Sequence, residues 1–393
     1  MNRAGLASLT ALVFVIALCV TAATGATAAT ETADTATCVG PVDRPANAET
    51  LVTTQGLQVV GNRYEKRPAM LAAYGPTARP VWSHDLDERG RFVGRSVADT
   101  PNGTLLVTQE GSHTVVELLD DERRPVWALR FGIGDGPRAS IDVRDALLEP
   151  EGLLVADRDR LVRYDRETDR IVREWPVPAA SRDNRTITGV ASLSNGYLVT
   201  VAGENNGSVL AVGDAGVRWQ VDGLQEPYSP QHLGGRVLFA EMGADRVVEM
   251  TPDGEVVWAL TGLDRPRSAE RLPRGTTLVS DRRNHRVLEI GPRGRVVWTA
   301  FAPWEPADAT RTVDGKRQSV TAENVTGTYG VTAANASYDE LAACEDGLLA
   351  LAPNRTERAT TLVEDGTDRV ALGALIGSLV LVGALVARRR ATA

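Results

Sequence analysis

Lysine is nearly missing from this 393-residue chain: only Lys66 and Lys316 stand among 43 basic residues. Histidine is almost as scarce, with four, and cysteine stops at three, Cys19, Cys38 and Cys344. Each shortage removes a class of function. A net charge of −8 argues against a surface that tracks nucleic-acid phosphates, so no nucleic-acid partner is expected. There is no H-E-x-x-H, no cysteine cluster and no EF-hand loop, so neither a metal nor another cofactor is expected. G-x-S-x-G and a phosphate-binding glycine loop are missing as well. The low lysine with abundant arginine is compatible with a halophile, and equally with a GC-rich genome.

Long apolar runs occur only at the ends. Arg3 precedes an uncharged stretch from Leu6 to Val20, followed by the small residues Ala26, Thr27 and Ala28. Residues 1–28 therefore read as a secretory signal peptide, with an uncleaved anchor as the alternative. At the other end, residues 370–387 run for 18 positions without a charge, long enough to span a bilayer core. Arg388, Arg389 and Arg390 follow, which marks the cytoplasmic side. The expected arrangement is a body on the extracellular side of the cell membrane, held by one C-terminal transmembrane helix within 367–390. Glycosylation sequons at Asn102, Asn184, Asn206, Asn324, Asn335 and Asn354 suit that exterior address. Cys19 leaves with the signal, and the remaining pair, Cys38 and Cys344, is expected to form a disulfide.

What the body does have is a repeat. Trp82, Trp127, Trp175, Trp219, Trp258 and Trp298 follow one another at intervals of 45, 48, 44, 39 and 40 residues, and only Trp304 falls outside the series. Each closes a unit of alternating strands and glycine-bearing turns, as in DRVVEMTPDGEVVW (245–258) and HRVLEIGPRGRVVW (285–298); the first and loosest unit reads as the strands TLVTTQ (50–55), LQVVGN (57–62), AMLAAY (69–74) and RPVW (79–82). A period of roughly 40–45 residues with four strands is that of a propeller blade. The sequence thus predicts an all-β fold, a six-bladed β-propeller over 38–303. Residues 304–366 are read as a closing segment and glycosylated stalk, with DGLLALAP (346–353) as a further edge strand. The recurrent tryptophan is expected to pack between blades.

In a propeller the innermost strands line a central channel. Aligning the units places Asp99, Asp145, Ser192, His232 and Arg271 at one level. Ala98, Arg144, Ala191, Gln231 and Glu270 come one step earlier, and Arg95, Asp142, Thr188, Tyr228 and Arg267 further back. Such a collar suits an anion held by forked guanidinium contacts, or else charges that pair among themselves in a wet channel. His113 and His285 share a repeat position with Asp245, which reads as turn chemistry, and His84 follows the first tryptophan on an outer strand or its exit loop. His232 alone falls on an inner strand.

The stretch PRSAERLPRGTTLVSDRRNHRVLEIGPRGRVVWTAFAPWEP (266–306) resembles the arylsulfotransferase-like β-propellers of halophilic archaea, and the likeness thins over 46–226. It shares repeat features with NHL and quinoprotein-like propellers. That resemblance implies transfer of sulfate between phenolic compounds through a histidine nucleophile, with arginines stabilising the charged oxygens. Carried onto this chain, the nucleophile is His232, with Arg267, Arg271 and Arg144 as oxyanion contacts and Arg95, Asp99, Asp145, Tyr228, Gln231 and Glu270 around the ligand. The opening of the sixth blade has Arg267 and Ser268 where the family leads one to look for histidine. The alternative is a non-catalytic cell-surface propeller that binds an anionic ligand or a protein partner.

Overall fold

The computed structural model describes residues 35–60, 63–87, 91–133, 136–181, 184–203, 206–311 and 326–352. The signal-peptide and membrane-span expectations, with Asn324 and Asn354, lie outside these residues. Among the described residues no helix is long and apolar enough to cross a membrane.

The tryptophan units are blades of a six-bladed propeller. From the channel outward, each of blades 2 to 6 uses four consecutive antiparallel strands. Their inner strands are Arg91–Thr100, Asp145–Glu149, Thr186–Leu193, Pro227–His232 and Pro266–Arg271. Blade 1 differs. Its outer three strands, Thr50–Thr54, Met70–Tyr74 and Pro80–Asp85, come from the start of the body. Its inner strand is Pro306–Arg311, which pairs with Thr50–Thr54 in the register Thr50↔Arg311 and Val52↔Ala309. The ring is therefore closed by hydrogen bonds between its two ends.

This corrects two expectations. Residues 346–353 are not an edge strand, because Tyr338–Leu351 is a helix. Ser337 caps it: its hydroxyl accepts from the Glu340 amide, and the Glu340 carboxylate accepts from the Ser337 amide. Leu341, Cys344 and Leu348 then bury one helical face. Leu57–Val60, expected as a blade strand, instead pairs with Arg63–Lys66 in a separate hairpin. Gly56, at φ 62°, turns the chain out of the sheet there, where a Cβ would lie 2.4 Å from the Arg67 carbonyl.

Both ends are fastened further. Cys38 and Cys344, 306 residues apart, form a disulfide that ties the helix to the turn Ala36–Cys38. Val39–Val42 adds a fifth strand to blade 6, and Gly327–Gly330 a fifth to blade 5. Trp304, outside the repeat, sits buried under the helix and donates to Glu345.

The repeated residues explain the seams. Trp258 and Trp298 are buried, and their Nε1 groups donate to the Pro292 and Pro76 carbonyls in the next blade, at 2.7 and 3.1 Å. Trp175 does the same to Asp214 at 3.1 Å. An arginine from the next inner strand lies over two of these indoles. Arg271 sits 4.5 Å from the Trp258 ring and 2.8 Å from Glu249, and Arg311 sits 4.9 Å from the Trp298 ring, paired with Glu289. Acids closing the second strands hold the loops that lead into the inner strands. Asp157, Glu241 and Asp281 accept from the amides of Asp142, Gln225 and Asp264 at 2.8–2.9 Å. Each also pairs with an arginine at the head of the third strand: Arg160, Arg246 and Arg286.

Inner strands of neighbouring blades have no ladder between them, so side chains supply the links. Asp308 accepts from the Val97 amide (3.0 Å), Asp145 from Val190 (3.0 Å), Gln231 from Arg271 (2.6 Å) and Glu270 from Arg311 (3.0 Å). Thr188 donates to the Pro227 carbonyl at 2.6 Å. Much of the polar lining of the channel is thus structural.

Candidate functional site

Where the inner strands begin, the channel opens into a cleft of about 210 Å3 lined by Arg95, Arg144 and Arg267, with Tyr228, Thr188 and Gln109. The three arginines come from blades 2, 3 and 6. Arg144 is paired with Asp142 at 2.6 Å. Arg95 donates to the Gln109 amide oxygen at 2.8 Å. Arg267 lies 4.6 Å from the Tyr228 ring. Among the described residues, neither Arg95 nor Arg267 makes an ion pair. The Nε groups of Arg95 and Arg144 are buried without a hydrogen-bond partner. Burial, with the like charges of Arg144 and Arg267, pushes the Arg95 guanidinium down to about 10, against the opposing pull of Asp142.

One layer deeper the sign reverses. Asp145, Glu270 and Asp308 surround a waist of about 50 Å3, with Ser96 and Gln231 beside them. Burial, reinforced by Asp145 and Glu270, pushes Asp308 up to about 7, while its bond from the Val97 amide works the other way. The described residues contain no group of acids, histidines and cysteines able to hold a metal ion.

The residues singled out from sequence fall into three layers. Arg95, Arg144, Arg267 and Tyr228 meet at the mouth. Asp145, Gln231 and Glu270 form the waist. Asp99, His232 and Arg271 lie toward the far end. His232 is exposed, and its Nε2 accepts from the Gly235 amide at 3.3 Å within the hairpin turn. At about 3.3 Å of rise per residue, a strand length of roughly 13 Å separates the level of His232 from that of Arg267. Arg271 is only 1% exposed and committed to Glu249 and Trp258. Asp99 opens on a separate surface cleft with Glu49, Asp120, Asp121 and Arg123, its carboxyl raised chiefly by burial. The set of His232, Arg267, Arg271 and Arg144 is therefore not gathered at one place.

His285 and Asp245 do share a job. Both hold φ near 50° (52° and 54°), and each accepts from the amide just before the next inner strand, Glu305 at 3.0 Å and Arg265 at 2.8 Å. Burial, with Arg282 nearby, pushes His285 down to about 4, so it is neutral there. Among the sequons, Asn102, Asn184, Asn206 and Asn335 are exposed, and Asn335 accepts from Arg286 through its carbonyl oxygen.

Asp308 and Gln109 were missed. Asp308 had a signal: PADATR begins and ends 40 residues after PRSAER, Pro306 after Pro266 and Arg311 after Arg271. That is the repeat interval itself. Gln109 had none, because it lies on the second strand and reaches the mouth only through the packing of Arg95.

The fold and mouth thus define the chain as a six-bladed β-propeller with an arginine-lined channel opening. No protein-family model and no curated protein matches it. Solved structures do, at the level of the fold. A protein of unknown function from Bacteroides caccae is 16% identical with a TM-score of 0.51, over 67% of this chain and 98% of that one. A functionally unknown protein from Desulfotomaculum acetoxidans is 14% identical with a TM-score of 0.39, over 62% and 75%. A streptogramin B lyase is 12% identical with a TM-score of 0.37, over 53% and 69%. Propellers of this kind carry many unrelated functions, so these likenesses concern architecture alone.

Proposed function

We propose that this chain is an extracytoplasmic, membrane-anchored propeller that binds an anionic small molecule at the arginine mouth without transforming it. The observation that supports this most is the state of Arg95 and Arg267. Both are half-buried beside Arg144, and neither has a carboxylate of its own among the described residues. Like charges held together in partial burial are costly, and an anion relieves that cost through charge-assisted bonds. The extracytoplasmic address is supported by the Cys38–Cys344 disulfide, since such bonds persist in oxidising compartments. Anchoring rests on the apolar run 370–387 with its arginine tail.

A transferase of the arylsulfotransferase-like kind is the second reading, supported by the motif in 266–306 and by the same arginines. It requires a nucleophile among them, and no histidine lines the cleft among the described residues. Titration with phenyl sulfate, followed by a transfer assay to a phenol acceptor, separates the two. Saturable binding that Arg95→Gln and Arg267→Gln weaken, with no transfer, is the expected result. Transfer that disappears in His232→Ala would replace binding with catalysis. Recovery of the chain in the soluble fraction after alkaline extraction of membranes would remove the anchor.

A further inference from the structure

We infer that the mouth prefers a doubly charged oxyanion, the phosphate monoester of a small or chain-terminal alcohol, over a singly charged sulfate ester. This rests on the anion-binding reading above. Three guanidiniums, Arg95, Arg144 and Arg267, face one carboxylate, Asp142, which Arg144 already holds. Two positive charges are left over. A sulfate monoester brings one negative charge and leaves an arginine uncompensated in a half-buried cleft. A phosphate monoester brings close to two at pH 7 and three strong acceptor oxygens. The buried Nε groups of Arg95 and Arg144 are donors without partners in the same place.

The waist fixes the ligand's orientation. Asp145, Glu270 and Asp308 repel an anion that moves past the mouth, and the channel narrows there to about 50 Å3. The charged head therefore stays among the arginines. The cleft of about 210 Å3 accommodates that head and a few carbons beside Tyr228, so the rest of the alcohol projects outward into solvent. A compact head on a long carrier, such as the phosphorylated end of a glycan, fits as well as a small ester.

The test is calorimetric titration of the full-length chain with phenyl phosphate and with phenyl sulfate, in chloride buffer at pH 8 and pH 5. Phosphate monoesters lose their second charge near pH 6, whereas the sulfate ester stays singly charged across this range. The expected result is about tenfold tighter binding of phenyl phosphate at pH 8, vanishing at pH 5. Asp308 gains its charge within that window and repels a dianion more than a monoanion, so it lowers the ratio at pH 8 and cannot produce the expected rise. Replacing Arg267→Gln lowers the excess to one charge and should collapse the ratio even at pH 8. Phenyl sulfate binding as tightly as phenyl phosphate at pH 8 overturns the preference while leaving anion binding intact. A ratio that persists at pH 5 overturns it too. Failure of both esters to bind overturns the anion-binding reading and this inference together.

Discussion

Arginines at the seams of blades 5, 6 and 1 and arginines at the channel mouth are the same residue in opposite situations. Arg271 and Arg311 are almost fully buried, each between a carboxylate and an indole. Arg95 and Arg267 are half-buried with an amide and a phenol ring for company. At the seams the charge is already neutralised and the guanidinium acts as packing material. At the mouth it is not. A basic residue on an inner strand is thus uninformative by itself; what it is paired with separates scaffold from site.

The comparison breaks most readily at the seams. Arg271→Met leaves the buried Glu249 with Arg236 and takes the cation off the Trp258 ring, and should cost about 3 kcal/mol in chemical denaturation, with no change in anion affinity of the folded protein. Replacing both Cys38 and Cys344 by serine opens the clamp across the ring closure. A loss of about 3 kcal/mol is expected, read as a lower thermal midpoint that reducing agent reproduces in the parent chain. At the mouth the pattern inverts. Arg95→Gln or Arg267→Gln should change stability by less than about 1 kcal/mol, in the stabilising direction at low salt, while anion affinity falls at least about tenfold.

The smallest effects are those of pH, and they oppose each other. Asp308 is raised to about 7, so its contribution to stability is full at acid pH and is lost as pH rises through 7. His285 is lowered to about 4, so its contribution is present above its ordinary value and is lost as pH falls toward 4. Between pH 7 and pH 4 the two cancel in part. Asp308→Asn should therefore make the chain lose stability more steeply on acidification, and His285→Gln should flatten the profile. Denaturation midpoints across that range measure both slopes.

Much of the fold was legible because the repeat is written in large residues. Six tryptophans at nearly even spacing marked six blades, and the turn role of His285 followed from Asp245 standing at the same position. Ring closure was harder to see. Blade 1 splits its strands between the two ends of the body, and the first unit held a decoy in Leu57–Val60, whose alternation belongs to an inserted hairpin. The apolar residues of 338–351 also fit two periods, and the capping box at Ser337 and Glu340 decides for helix. The collar and the order of its levels were legible in the alignment, which already sets Arg267 back from His232. The separate work of each level was not. Partnership was invisible, because Glu249 and Trp258, which claim Arg271, come from the preceding blade.

The account depends most on the mouth arginines being uncompensated until a ligand arrives. The direct measurement is the thermal midpoint of the parent chain and of the Arg95→Gln/Arg267→Gln double variant against rising phenyl phosphate at low salt. The parent midpoint should climb with ligand, and the double variant should start as high or higher and stay flat. A double variant that starts several degrees lower, or that climbs like the parent, would contradict it.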